Sequence, residues 1–191
     1  MKLEDLVKES REFCLSEIRE FNPDIEIFFD FLLKKGNELA DYYNADKEII
    51  QIGLYLMDAT GPRLAKKNMR EKHVEIGVEK TKEILTRYDI DQATKDKIIN
   101  CVAAHHRDEE FLSIEAEICA NIDCYNFIHP RGVFAYCLVL KNRFGNDLDK
   151  ILDQIEYKLK EKYNIISLDR VKEELEPFYK QFSYMLESCK K

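Results

Sequence analysis

The chain holds four histidines, His73, His105, His106 and His129, and the first three share its middle third with two carboxylates, Asp58 and Asp123. Imidazoles and carboxylates are the side chains that bind divalent metals and move protons near neutral pH. Asp123 sits in the run Ile118-Cys119-Ala120-Asn121-Ile122-Asp123-Cys124-Tyr125. A carboxylate in so apolar a helix needs a metal or a buried hydrogen-bond network, because an isolated buried charge is costly; otherwise it belongs to a polar face shared with Asn126. His105 and His106 are adjacent, so on a helix they point about 100° apart and both reach one ion only near a helix end. A polar run follows His106 and suggests such an end. The competing reading is a histidine that stabilises a helix C-terminus through the macrodipole. His73, taken alone, equally suits a helix start or an exposed surface. His129 falls in a predicted loop, His129-Pro130-Arg131-Gly132, where it either lines a pocket or faces solvent.

The elements that must position these residues read as helices almost throughout. Residues 3–20 carry one apolar stripe, and Asn22-Pro23-Asp24 breaks it. A second helix is expected over 25–43, then a turn at Asn44-Ala45-Asp46 whose Asp caps the next helix. That third helix, through Ile49, Ile50, Ile52, Gly53, Leu54 and Leu56, is apolar on nearly every side and should be central. Thr60-Gly61-Pro62 ends it. The stretch 63–72 reads as loop or short helix, and a further helix should run over about 73–87. Asp91 or Asp89 can cap a helix that continues to His105-His106, and Ser113 can cap another. Residues 133–142 suit a helix or a short strand on local grounds; helix is chosen from context. Two amphipathic helices, about 146–163 and 168–188, complete the chain. The expected fold is all-α, a bundle of seven to nine helices in a single domain over 1–191, with its core at about 25–142 and flanking helices at 1–22 and 143–191.

Composition bounds the function. With 191 residues, 6 Gly and 4 Pro, the chain suits one helical globule with a real core. Its net charge of −7 argues against a duplex nucleic-acid partner. Only Arg63, Lys66, Lys67, Arg70 and Lys72 make a basic stretch, opposed by Glu71 alone. It is either a solvated surface or a holder of phosphate, chiefly through Arg63, Lys66 and Lys67. The six cysteines form no C-x-x-C pair, and neither a signal core nor a membrane-length apolar run is visible. These features lead us to expect a cytoplasmic protein with reduced, mostly buried thiols and no membrane partner.

The order of the pieces carries more than any one of them. Asp58 closes an apolar helix, His73 opens a helix 15 positions later, His105-His106 lie 32 positions beyond, and Asp123 follows 17 positions after His106. Over about residues 28–127, in segments such as KHVEIGVEKTKEIL (72–85), IINCVAAHH (98–106) and LSIEAEICANIDCYNF (112–127), this resembles the HD phosphohydrolase superfamily. The matching positions are Asp58, His73 with Glu75 and Gly77, His105-His106, and Asp123. Two ligands of the family pattern are absent: Met57 stands where the His of the His-Asp pair belongs, and Phe28 occupies the place of the first His. Glu26 or Asp30 could in principle substitute for the first His.

The resemblance implies a metal cluster of Asp58, His73, His105, His106 and Asp123. The family's first metal site would keep only Asp58 and Asp123. Its second would keep Asp58, His73, His105 and His106, a set suited to Zn²⁺, Fe²⁺ or Mn²⁺, with Mg²⁺ an option for the carboxylates. One ion rather than two is expected. The implied function is a metal-dependent phosphohydrolase or phosphoesterase acting on a small phosphorylated, nucleotide-like molecule. In it Asp58 and Asp123 would be the catalytic carboxylates, Asp58 binding metal and Asp123 positioning or deprotonating water. The alternative is a catalytically degenerate HD-like protein with a ligand-sensing or protein-interaction role. The C-terminal helices carry no motif; packing or a homodimer interface explains their apolar spacing.

Overall fold

A computed structural model describes residues 3–23, 26–107 and 109–189. Among them there is no strand, and nine helices of ten residues or more are joined by one short one. The helices are α1 (Leu3–Phe21), α2 (Glu26–Tyr43), α3 (Lys47–Leu56), α4 (Gly61–Lys66), α5 (His73–Leu85), α6 (Gln92–Ala103), α7 (Ile114–Ile128), α8 (Pro130–Phe144), α9 (Leu148–Ile165) and α10 (Asp169–Cys189). Asp24 of the expected N-terminal break lies outside the described residues. No helix among those described is long and apolar enough to cross a membrane.

The chain forms two compact units that meet within α7, the first ending at Ala120 and the second starting at Asn121. In the first unit, α3 is central, as its sequence requires. Asp46 accepts hydrogen bonds from the backbone N–H groups of Glu48 (2.9 Å) and Ile49 (3.2 Å) and so starts the helix. From Ile49 to Leu56 every residue except Gln51 is buried. Helices α1, α2 and α6 pack against α3, and α5 packs against α6. Cys14 and Ile18 of α1 meet Phe29 of α2 and Tyr55 of α3, with the Phe29 and Tyr55 rings stacked at 5.9 Å. Close approach is possible because Gly53 has no side chain. A Cβ placed there would lie 2.7 Å from both Cys101 Cβ of α6 and Cys119 Sγ of α7. Cys119 also donates through its thiol to the Ile50 carbonyl (3.7 Å).

Three local expectations are refined. The basic stretch resolves into α4 and a single 3-10 turn, Arg70–Lys72, that runs directly into α5. Helix α6 ends at Ala103, short of the histidine pair. Residues 129–132 are not a loop. His129 is the N-cap of α8, its Nδ1 accepting from the Arg131 N–H (3.2 Å), and Pro130 occupies the first helical turn, where its missing N–H costs nothing.

In the second unit, α8 packs on α9 and α9 on α10. The Asn121 side chain binds the turn before α10, accepting from the N–H groups of Ser167 (3.1 Å) and Leu168 (3.2 Å). Gly132 brings α8 onto the end of α7, where an added Cβ would sit 2.3 Å from the Tyr125 carbonyl oxygen. Of the six cysteines, Cys14, Cys101, Cys119 and Cys124 are buried, and all six are free thiols. Burial raises the Cys124 thiol well above its ordinary range.

The two glycines give a test of this packing. Gly53→Ala and Gly132→Ala should each cost about 1–3 kcal/mol through overpacking, seen as a lower denaturation midpoint by circular dichroism. A midpoint unchanged in both variants would contradict the close helix approaches described.

Candidate metal centre

The cluster is built by helix ends. His73 is the first residue of α5, delivered by the Arg70–Lys72 turn. His105 and His106 lie just past α6, where Ala104 leaves helical geometry (ψ 2°) and Arg107 takes a left-handed φ of 63°. The chain bends there, so adjacent imidazoles converge with ring centroids 4.2 Å apart. Asn100, one turn earlier, fixes the following segment by donating to the Glu110 carbonyl (3.0 Å) and accepting from the Leu112 N–H (2.8 Å). Asp58 follows the C-cap of α3. Gly77, one turn into α5, lets that helix lie against Val102 of α6 and the last carbonyls of α3.

The geometry brings the three histidines together, with one ligand atom from each lying within 4.8 Å of the others. His73 Nε2 lies 3.0 Å from His106 Nε2 and 3.3 Å from His105 Nε2. Asp58 Oδ1 lies 3.5 Å from His73 Nε2 and 4.0 Å from His105 Nε2. The tautomers are set from behind. His73 Nδ1 is 2.8 Å from the Arg70 carbonyl and His105 Nδ1 is 2.7 Å from the Val102 carbonyl. A carbonyl only accepts, so both Nδ1 atoms carry a proton, and in the neutral rings both Nε2 atoms present a lone pair. Two such lone pairs facing each other at 3.3 Å repel unless a proton or a metal cation stands between them. His105 is wholly buried, so water does not screen that repulsion, while the Asp58 side chain keeps 43% of its surface exposed and leaves the cluster an open side.

This donor set fits a divalent metal. Tetrahedral Zn–N bonds of 2.0–2.1 Å place neighbouring nitrogens about 3.3 Å apart, close to the spacings found. A backbone carbonyl behind each ligating imidazole is the usual outer support of such sites. Desolvation opposes ionisation of Asp58, but the charges that His105, His73 and His106 carry when protonated, with that of Arg70, outweigh it and hold the carboxyl below its usual range. Asp58 therefore contributes a negative charge at neutral pH.

Among the described residues the clustered ligand atoms are those of the three histidines, and Asp58 stands beside two of them. In the second unit, Asp123 Oδ2 lies 2.5 Å from Lys162 Nζ, with both side chains almost wholly buried. The partner that its apolar helix requires is a lysine. Lys162 Nζ also sits 5.7 Å above the Phe127 ring. Phe28 and Met57 are buried apolar residues. Glu26 pairs with Arg19 at the surface, 2.5 Å apart, and Asp30 is exposed.

The predicted phosphate holders are engaged unequally. Arg63 pairs with Glu17 (2.9 Å). Lys66 lies over the Phe21 ring (5.3 Å). Lys67 is exposed. The basic residue whose charge reaches Asp58 is Arg70. Its place in the basic stretch was legible, but its relation to His73 needs the 3-10 turn to be seen. Comparison of the chain with protein-family models, with curated proteins and with solved structures yields no match in any of the three.

The Asp123–Lys162 pair predicts a stability effect. Lys162→Met leaves the Asp123 carboxylate buried without that cation and should cost about 3–5 kcal/mol. The double variant Asp123→Leu/Lys162→Met should recover much of the loss. Denaturant titration measures both, and a Lys162→Met protein within about 1 kcal/mol of wild type would show that the pair is not formed.

Proposed function

We propose that this protein is an HD-like, metal-dependent phosphohydrolase that works with a single divalent ion held by His73, His105, His106 and Asp58. The observation that carries the reading is the convergence of Nε2 atoms whose opposite ring nitrogens, in His73 and His105, are committed to backbone carbonyls. An ion in such a set supplies Lewis acidity to a phosphoryl oxygen and lowers the pKa of water. The chain's own contribution is to orient the imidazoles, to keep Asp58 ionised, and to leave the Asp58 side open to a small phosphorylated molecule. The order Asp58, His73, His105-His106 along the chain supports the HD-like assignment.

Asp123 is engaged by Lys162. Asp58 is the carboxylate of the site, and its half-exposed position suits both metal ligation and contact with an incoming water. The pairing of Asp123 favours a second reading, in which the cluster binds metal and a phosphorylated ligand without turning it over.

Purified protein supplied with Mn²⁺, Fe²⁺ or Zn²⁺ should hydrolyse at least one member of a panel of nucleotides and generic phosphate mono- and diesters. His105→Ala should lower that rate by about two orders of magnitude or more. Metal-loaded protein that binds phosphate esters but turns none of them over would overturn the hydrolase reading in favour of the sensing one.

A further inference from the structure

The histidine cluster takes three of the four histidines and leaves His129, in the second unit, with a separate task. Helix α8 opens with Pro130, which has no N–H, so Arg131 supplies the first backbone donor of the helix. His129 Nδ1 receives that N–H at 3.2 Å. An acceptor nitrogen carries no proton, so the neutral ring holds its hydrogen on Nε2. The imidazole is half-buried. Its centroid lies 5.2 Å from the Phe178 ring of α10 and 6.2 Å from the Tyr125 ring of α7. The residues that ordinarily cap a helix in this way are Ser, Thr, Asn and Asp. An imidazole differs from all four, because it takes up a proton in the range near neutrality.

We propose that His129 is an acid-sensitive catch on α8, holding the start of the helix while neutral and releasing it on protonation. A proton added at Nδ1 removes the acceptor and sets one N–H against another, that of Arg131. It also places a positive charge at the positive end of the helix dipole, where a cation is unfavourable. Arg131 adds a second cation to the same turn. Glu174 of α10 acts in the opposite sense, as a carboxylate near the ring, and it accepts from the Tyr125 hydroxyl at 2.8 Å. In the folded chain the proton costs the cap. In the unfolded chain it costs nothing, and the histidine titrates near its ordinary value of about 6.5. The stability that the cap contributes is therefore complete above that pH and is lost as the pH falls below it. Release bears first on Gly132, the next residue of the turn, where α8 lies against the Tyr125 carbonyl.

The test compares wild type with His129→Asn, whose amide oxygen caps a helix without titrating. The full chain is unfolded with urea in the presence of a chelator, at about pH 7.5 and about pH 5. Hydrogen–deuterium exchange over residues 130–144 is followed in parallel. The three cluster histidines titrate in both proteins and cancel in the comparison. Between the two pH values, the folding equilibrium constant of wild type should fall about fivefold further than that of His129→Asn. Protection of 130–144 should fall in wild type and hold in the variant. Glu174→Gln removes the opposing carboxylate and should deepen the wild-type loss. A difference between wild type and His129→Asn under about twofold would overturn the proposal, as would a variant more acid-sensitive than wild type. Abolition of the loss in Glu174→Gln would also overturn it, since the acid effect would then belong to the carboxylate. If His129→Asn does not fold, His129→Ser supplies the same comparison, and unchanged protection of 130–144 in acidified wild type overturns the proposal without either variant.

Discussion

Two backbone carbonyls orient the histidine cluster. Arg70 and Val102 each accept an Nδ1 proton, and so turn the Nε2 lone pairs of His73 and His105 toward one another. Such an arrangement is unfavourable for bare imidazoles and favourable around a cation. Both carbonyls belong to helix ends; that of Arg70 also accepts the His73 backbone N–H within the 3-10 turn. The first stands at the entry to α5 and the second in the last turn of α6. The site therefore depends on where those two helices stop and start, and that in turn depends on the packing of α5 on α6 and of α6 on α3. Gly53 is part of the same constraint, because α3 reaches Cys101 and Cys119 only where it lacks a side chain.

Much of this frame was legible in the sequence. The apolar run of α3 and the Asp46, Asp91 and Ser113 helix starts are local signals, and each of the three caps is realised by a hydrogen bond to a nearby backbone N–H. The histidine cluster was legible as an ordered series of residue types. What local pattern did not carry were features set by long-range partners. Helix α6 stops at Ala103 because Asn100 ties down the segment beyond it, and no propensity encodes that tie. His129 reads as a loop residue beside Pro130, yet an N-cap followed by proline is also how a helix begins. Among the basic residues, charge alone does not separate Arg63 from Arg70. Their difference comes from Glu17 on α1.

Asp123 shows the same limit most clearly. Its apolar flanks correctly imply burial and a partner, and the partner is Lys162 of α9. A lysine in an amphipathic, charge-rich helix is ordinarily solvated; the one signal that marks Lys162 is its helical spacing from Ile151, Ile155 and Leu159 on the buried stripe of α9. The consequence reaches function. Phe28 and Met57, at the two positions where the resemblance expects histidines, are buried apolar residues, and Asp123 is engaged by a lysine. Among the described residues, the three imidazoles are the group that converges, with Asp58 beside two of them.

The most direct test of that account is anomalous diffraction from crystals grown with Zn²⁺ or Mn²⁺, recorded at the metal edge. A single peak about 2.0–2.3 Å from the Nε2 atoms of His73, His105 and His106, with Asp58 as the carboxylate ligand, is the predicted result. No peak at the cluster, or a peak ligated by Asp123 in place of the histidines, would contradict it.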